Sequence, residues 1–308
     1  MYHKKLKSLL NLSKDEINQF LNSFDTVLTD CDGVLWLDNN VINNADLVMN
    51  RFRESGKRVF YVTNNSSKTR EEYAKKCKKL NFKCVKEEIV SSAYLAANYL
   101  KSQEFNKKVY VVGSSGITQE LEFVGIKHLG IGPDFHKTSV PVLVETLNLD
   151  PEVGAVVVGF DEHISFLKIL KAGSYLRNPD CLFVATNTDE QFPLESDFII
   201  PGTGTMVAAV QTCAGRKPVV VGKPFTYICD ALIKNYNIDP KRTLMIGDRC
   251  NTDILLGTKC GFQTLLVLSG VTKLTEVTNW KNASKPEEEE LIPDVYLNSL
   301  GELLPYLN

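Results

Sequence analysis

The stretch 26-TVLTDCDGVLW-36 decides the fold. Thr26, Val27, Leu28 and Thr29 are a short run of β-formers, the pattern of a central strand buried on both faces. Asp30, Cys31, Asp32 and Gly33 follow at once, so two acids fall at the carboxyl end of that strand. The glycine lets the backbone turn sharply behind them. Open α/β sheets bind their ligands at that end. Clustered carboxylates are costly unless a cation, a proton or chemistry compensates them. Taken alone, D-x-D reads more simply as a solvated loop, because Asp is mostly exposed. Its meaning depends on partners elsewhere in the chain.

Outward from this stretch, strand and helix patterns alternate. Ser13-Lys-Asp-Glu16 is a capping-box pattern that starts a helix running to about Asn22. Asn44 caps a helix through ADLVMNRFRES, and Gly56 stops it. RVFYVT, 58–63, is a second buried strand that delivers Asn64 and Asn65. Helices follow at 69–80 and 91–101. This alternation marks a doubly wound, parallel α/β sheet of Rossmann type. From about Lys107 the rhythm restarts with KVYVVG, a helix at 119–124, AVVVGF, a helix at 164–176 and CLFVAT, up to the loop ESDFIIPGTGT at 195–205. VVVGKP, TLMIGD and QTLLVL then resemble the first set. The expectation is an α/β domain inserted at 104–200 within a discontinuous core of 1–103 and 201–308. The run Glu287–Glu290 reads as a solvated loop, and PDVYLNSLGELLPYL closes the chain with a strand and a helix.

The 308 residues carry a formal net charge of −2, so no surface for a polyanion is indicated and nucleic acid is not an expected partner. No apolar run reaches the roughly 20 residues that span a bilayer, so no membrane segment is expected. The basic start MYHKKLKSLLNLSKDE lacks the apolar core of a signal peptide. Eight cysteines form no C-x-x-C pair, which reads as reduced, mostly buried thiols in a cytoplasmic protein.

The partners of Asp30 lie at three further strand ends. These are Thr63-Asn64-Asn65, Gly222-Lys223-Pro224, and Gly247-Asp248-Arg249 followed by Asp253 at a helix start. Parallel strands present their carboxyl ends on one edge, which would bring a hydroxyl, an ammonium and two more acids to Asp30. Singly, each has a bland explanation as a strand residue, a surface lysine or a helix-capping acid. Together they suit phosphate-ester hydrolysis. A carboxylate nucleophile divides the reaction into two displacements through an aspartyl-phosphate. A hard cation such as Mg²⁺ suits an all-oxygen set of acids. Lysine and hydroxyl donors hold the remaining phosphoryl oxygens, and a second acid exchanges protons with the leaving group and with water.

The segments TDCDGVLW, VTNNS, VGKP and GDRCNTDI resemble the four motifs of the haloacid dehalogenase superfamily. From about Phe24 to Leu304 the chain is similar to its group of phosphoglycolate/glycerol-3-phosphate and pyridoxal-phosphate phosphatases, also called para-nitrophenyl phosphatases. The resemblance implies a nucleophile at Asp30 and a general acid/base at Asp32. It implies Mg²⁺ held by Asp30, Asp248 and the Asp32 carbonyl, with Asp253 behind them. Thr63, Asn64, Asn65 and Lys223 would bind phosphate, together with a nest of N–H groups from Cys31 to Gly33. The insert would be a cap that selects the substrate, a small phosphomonoester, and joins two copies into a homodimer.

Within that cap, Glu190-Gln191-Phe192-Pro193-Leu194 has Phe192 where pyridoxal-phosphate phosphatases have histidine. An apolar residue there, and LLPYL at the end, resemble the phosphoglycolate/glycerol-phosphate branch. A Phe ring also stacks on aromatic substrates, so pyridoxal 5′-phosphate stays as the alternative, and cap packing is a third role for Phe192. Asp189 and Glu195 either meet substrate or cap the loop, and His163 reads as structural. A phosphotransferase or mutase would use the same intermediate, and a non-catalytic scaffold would not need the full acid set. A receiver-type signalling module lacks such an insert.

Overall fold

The computed structural model describes residues 6–192, 197–283 and 285–307, and it divides into two compact units. The first comprises 1–63, 71–90 and 223–308, and the second 64–70 and 91–222. The expected boundaries at 103/104 and 200/201 therefore differ from the division found. The helices Ser92–Ser102 and Thr203–Ala214 and the strand Val219–Val220 fall in the second unit. The reason is pairing. Val219 and Val220 lie in register beside Val184 and Ala185, and a short run of valines does not itself reveal which sheet it joins.

The first unit carries a seven-stranded sheet in the order Lys7–Ser8, Val295–Leu297, Gln263–Val267, Thr243–Gly247, Thr26–Thr29, Arg58–Thr63, Ile89–Ser91. Thr26–Thr29 is buried along its whole length, as a strand flanked on both edges and covered on both faces must be. It pairs in parallel with Thr243–Gly247 and with Arg58–Thr63, bringing Thr29 beside Ile246 and Tyr61. All three strands run out at the same edge, Gly247 one residue and Thr63 two residues past the level of Thr29, and the next residues are Asp30, Asp248 and Asn64. Just beyond, Trp36–Leu37 and Asn40–Val41 form a small antiparallel hairpin. The core packs Phe24, Val27, Trp36, Phe52, Tyr61, Leu244 and Leu265 against one another.

The second unit has its own parallel sheet of five strands, ordered Val219–Val220, Leu182–Ala185, Val153–Val158, Lys108–Val112, His128–Leu129. Its separate core includes Tyr110, Val156, Phe183, Met206 and Val210.

Several local expectations hold in detail. Ser13 and Glu16 form the reciprocal capping box of the helix Lys14–Leu21. Arg58–Thr63 begins and ends where expected. Gly56 stops the preceding helix with a φ of +82°. Asn44 differs, since it sits in the left-handed region without a side-chain cap, a conformation asparagine tolerates. Pro286–Glu289 forms one exposed helical turn where a loop was expected, with Pro286 in the first turn and the acids at its favourable end. The helix Thr203–Ala214 grows directly out of the PGTGT segment. All eight cysteines are free thiols, and Cys213 alone is exposed.

Candidate active site

Strand ends of the first unit assemble the acids. Asp30, Asp248 and Asp253 each offer a carboxylate oxygen within 4.8 Å of the others. Asp30 and Asp248 terminate neighbouring strands, and Asp253 returns from the helical turn Cys250–Ile254. That return is tight. A Cβ on Gly247 would lie 2.1 Å from the Asp253 Cβ, so only glycine fits before Asp248. The Arg249 N–H donates to Asp253 Oδ2 at 3.1 Å.

Lys223 joins the cluster from a chain segment almost two hundred residues away. Its ammonium lies 2.9 Å from Asp30 Oδ1 and 2.7 Å from Asp253 Oδ1, and it also donates to the Val62 carbonyl at 3.3 Å. Burial works against the charge on Lys223, but Asp253 and Asp30 outweigh it and hold the ammonium protonated. Three carboxylates against one ammonium leave excess negative charge. Burial, with the Asp30 charge adding to it, pushes Asp248 up to about 6. Burial and the neighbouring acids push Asp253 up to about 8 in spite of Lys223. Hard oxygen donors in a buried, negatively charged cluster suit a divalent cation, which would relieve that repulsion. Asp30, Asp248 and Asp253 are the residues that could hold it.

Asp32 is the exception among the motif acids, because its carboxylate is not part of the cluster. Its Oδ1 accepts from the Trp36 indole N–H at 2.9 Å and lies 3.8 Å from the Lys76 ammonium.

The expected anion nest is largely used by the turn itself. The Cys31 N–H donates to Asp30 Oδ1 at 2.7 Å, and the Gly33 N–H donates to the Trp36 carbonyl at 2.9 Å. Cys31 and Gly33 therefore shape the turn, and their N–H groups are already committed. Gly33 has a φ of +83°, and a Cβ there would come 2.6 Å from Asp248 Oδ2. Burial, followed by the charges of Asp30 and Asp32, holds the Cys31 thiol well above its usual pKa, so it stays protonated.

Thr63 is buried at its strand end, and the Tyr73 phenol hydrogen-bonds its side chain. Asn64 and Asn65 belong to the second unit. The Asn64 carboxamide donates to Asp189 Oδ1 at 2.9 Å, and its carbonyl accepts from the Ser92 hydroxyl at 2.6 Å. Asn65 Oδ1 accepts from the N–H and hydroxyl of Ser67, closing a local turn. Phe192 stacks on Phe160 with ring centroids 4.6 Å apart, so packing within its own unit accounts for one face of the ring. Asp189 is fastened to Asn64, whereas Glu195, Pro193 and Leu194 lie outside the described residues. His163 is half-exposed, and its backbone N–H donates to Asp161 Oδ1 at 2.9 Å.

One segment escaped the sequence reading. After Gln263–Val267, Ser269 donates its hydroxyl to the Gly33 carbonyl at 2.7 Å, and the Val271 N–H donates to Asp248 Oδ2 at 2.8 Å. The Thr272 N–H donates to the Asp248 carbonyl at 3.0 Å. A Cβ on Gly270 would fall 1.9 Å from Asp248 Oδ2. The signal was present, since a Ser-Gly pair follows a buried parallel strand, but it carries no charged group to mark it.

Comparison with known proteins agrees with this geometry. A family model described as haloacid dehalogenase-like hydrolase matches residues 27–127, and a second, HAD-hydrolase-like, matches 220–303. The chain is 45% identical over 290 residues to a glycerol-3-phosphate phosphatase of Gallus gallus, covering 93% of each. It is 40% identical to chloroplastic phosphoglycolate phosphatase 1A of Arabidopsis thaliana, covering 94% of this chain and 79% of that one. Among solved structures it resembles a p-nitrophenyl phosphatase from Archaeoglobus fulgidus, with a TM-score of 0.77 at 28% identity over 92% of this chain and 99% of that one.

Proposed function

The chain belongs to the haloacid dehalogenase-like hydrolases and is a phosphatase of that family, and from this premise we propose how its residues divide the reaction. Asp30 attacks the phosphorus of a phosphomonoester and becomes an aspartyl-phosphate. The departing alkoxide takes a proton from Asp32. A water then attacks the phosphorus and gives its proton to Asp32, releasing inorganic phosphate and restoring the Asp30 carboxylate. Lys223 and Thr63 hold phosphoryl oxygens, and Asn64 and Asn65 approach them through the backbone. Phosphatases of this family generally use a divalent metal. We assign Mg²⁺ to Asp30, Asp248 and the Asp32 carbonyl, where it would draw charge from a phosphoryl oxygen as the transition state forms. The observation that carries the proposal is the double engagement of Lys223, which links Asp30 and Asp253 inside one acidic cluster.

For the substrate we favour 2-phosphoglycolate or glycerol 3-phosphate. Phe192 supports this, because its stacking on Phe160 suits an apolar wall beside a small aliphatic substrate. The names of the relatives point the same way. We assign the unit that carries Phe192 the role of a substrate-selecting cap and of a homodimer contact, and we place the protein in the cytoplasm. No helix among the described residues is long and apolar enough to cross a membrane.

The test is release of inorganic phosphate with Mg²⁺ from 2-phosphoglycolate, glycerol 3-phosphate, pyridoxal 5′-phosphate and para-nitrophenyl phosphate, with Asp30→Asn in parallel. The variant should keep the fold and lose at least about 10³-fold in kcat. Near-native turnover by Asp30→Asn would remove the nucleophile assignment. Preference for pyridoxal 5′-phosphate would transfer Phe192 to ring stacking.

A further inference from the structure

Asp32 is gripped by two side chains, Trp36 and Lys76, to which neither the metal cluster nor the reaction as set out above gives a role. The Trp36 indole N–H donates to Asp32 Oδ1 at 2.9 Å. The Lys76 ammonium sits 3.8 Å from that same oxygen and 4.5 Å from the centroid of the Trp36 ring, over its face. Carboxylate, indole and ammonium therefore lie in mutual contact.

Trp36 is itself closely packed. It is fully buried, its ring meets Phe82 edge-on with centroids 5.5 Å apart, and its carbonyl accepts from the Gly33 N–H in the motif turn. Lys76 comes from the helix Arg70–Lys79, its stem largely buried. Asp32, by contrast, keeps 34% of its side chain exposed. The terminal torsion of an aspartate is a broad, nearly two-fold rotor, so an exposed carboxylate turns freely unless something holds one oxygen. A buried N–H donating to one carboxyl oxygen is a directional hold.

We propose that Trp36, backed by Lys76, is the positioning residue of the proton-transfer step. It fixes Asp32 through Oδ1 and thereby sets the direction in which Oδ2 faces the leaving group and the incoming water. The orienting cost is then met once on folding and not at each turnover. The inference rests on Asp32 being the general acid/base, and its test must separate the two claims.

The leaving group separates them. An alkyl phosphate expels a poor alkoxide that needs its proton, whereas para-nitrophenyl phosphate expels a stable anion that does not. The first step is measured in a single turnover of the Mg²⁺-loaded enzyme with glycerol 3-phosphate and with para-nitrophenyl phosphate, for wild type, Asp32→Asn, Trp36→Phe and Lys76→Met. Trp36→Phe keeps a ring beneath Lys76 and deletes the N–H. It should slow the alkyl ester about tenfold, a part of the roughly 10²–10⁴ that proton transfer contributes, and the aryl ester less than about twofold. Lys76→Met should shift the ratio in the same direction by less.

A merely structural indole would slow both esters alike, and that result overturns the inference. If Asp32→Asn shows the alkyl bias and Trp36→Phe does not, the positioning role fails while the acid/base assignment stands. If Asp32→Asn shows no bias, the acid/base assignment itself fails. If Trp36→Phe melts early, Lys76→Met decides: an alkyl-selective loss supports the inference and an unchanged ratio rejects it.

Discussion

Lys223 and Asp253 meet at 2.7 Å with 2% and 0% of their side chains exposed, a buried ion pair built by chain segments thirty residues apart. Asp253 thus holds Lys223 from behind while Lys223 also reaches Asp30. Such a pair says little about stability by itself, but removing one partner leaves buried charge without compensation.

Lys223→Met should therefore cost about 3–5 kcal/mol in urea unfolding of the metal-free protein at about pH 8, since Asp30, Asp248 and Asp253 would then face one another alone. Turnover should disappear as well. A loss under about 1 kcal/mol would mean that the three acids shed their charge as protons and that Lys223 does not hold the cluster together.

Gly270→Ala tests the segment missed from sequence. Its Cβ would fall on Asp248 Oδ2, displacing the carboxylate that the Val271 N–H orients. Mg²⁺ affinity measured by titration calorimetry should drop about 10–100-fold, the usual scale for disturbing groups that orient a metal ligand, with an unchanged circular-dichroism spectrum. Wild-type affinity in this variant would show that Asp248 needs no such support.

The raised positions of Asp248, to about 6, and Asp253, to about 8, both caused first by burial, fix the sign of a pH effect. In the metal-free protein the native state holds these protons more tightly than the unfolded chain. The penalty is absent below the ordinary carboxylate range and grows as pH rises through the native values, so metal-free stability should fall toward pH 8. A cation binds the deprotonated acids, so the rise in Tm on adding Mg²⁺ should be larger near pH 8 than near pH 6. A rise in Tm that is independent of pH would contradict the assignment of these acids to the metal.

Phe192→Ala should act on selection and leave the chemical groups intact. Removing a ring that rests on Phe160 takes away an apolar wall, worth about 1–3 kcal/mol of discrimination in kcat/KM among small esters. Ratios of kcat/KM across the substrate panel are the measurement, and parallel losses on every ester would assign Phe192 to packing alone.

Much of this protein is legible without coordinates. A run such as TVLT followed by D-C-D-G is local information, because burial on both faces demands apolar or β-branched residues and a reactive strand end demands charge where the strand stops. The same logic located Thr63 and Asp248, since parallel strands share one carboxyl edge. The strand before Lys223, Val219–Val220, pairs in the other sheet, so that edge does not account for Lys223. The capping box at Ser13 is equally local, a pattern of four residues, Ser13 to Glu16.

Only the tertiary structure decided the rest. Val219–Val220 reads like any buried strand, and its partner Val184–Ala185 is set by long-range pairing that a four-letter pattern does not encode. The Gly33 N–H goes to the Trp36 carbonyl because the chain closes back there, and the Cys31 N–H goes to the Asp30 carboxylate. The Ser269–Thr272 segment acts through backbone groups and the lack of a side chain at Gly270, neither of which leaves a mark in composition. Trp36 and Lys76 come to Asp32 from a hairpin and from a helix. Residue type at a strand end reports what chemistry is available. Which oxygen is held, by which donor, follows from distances between segments that only folding brings together.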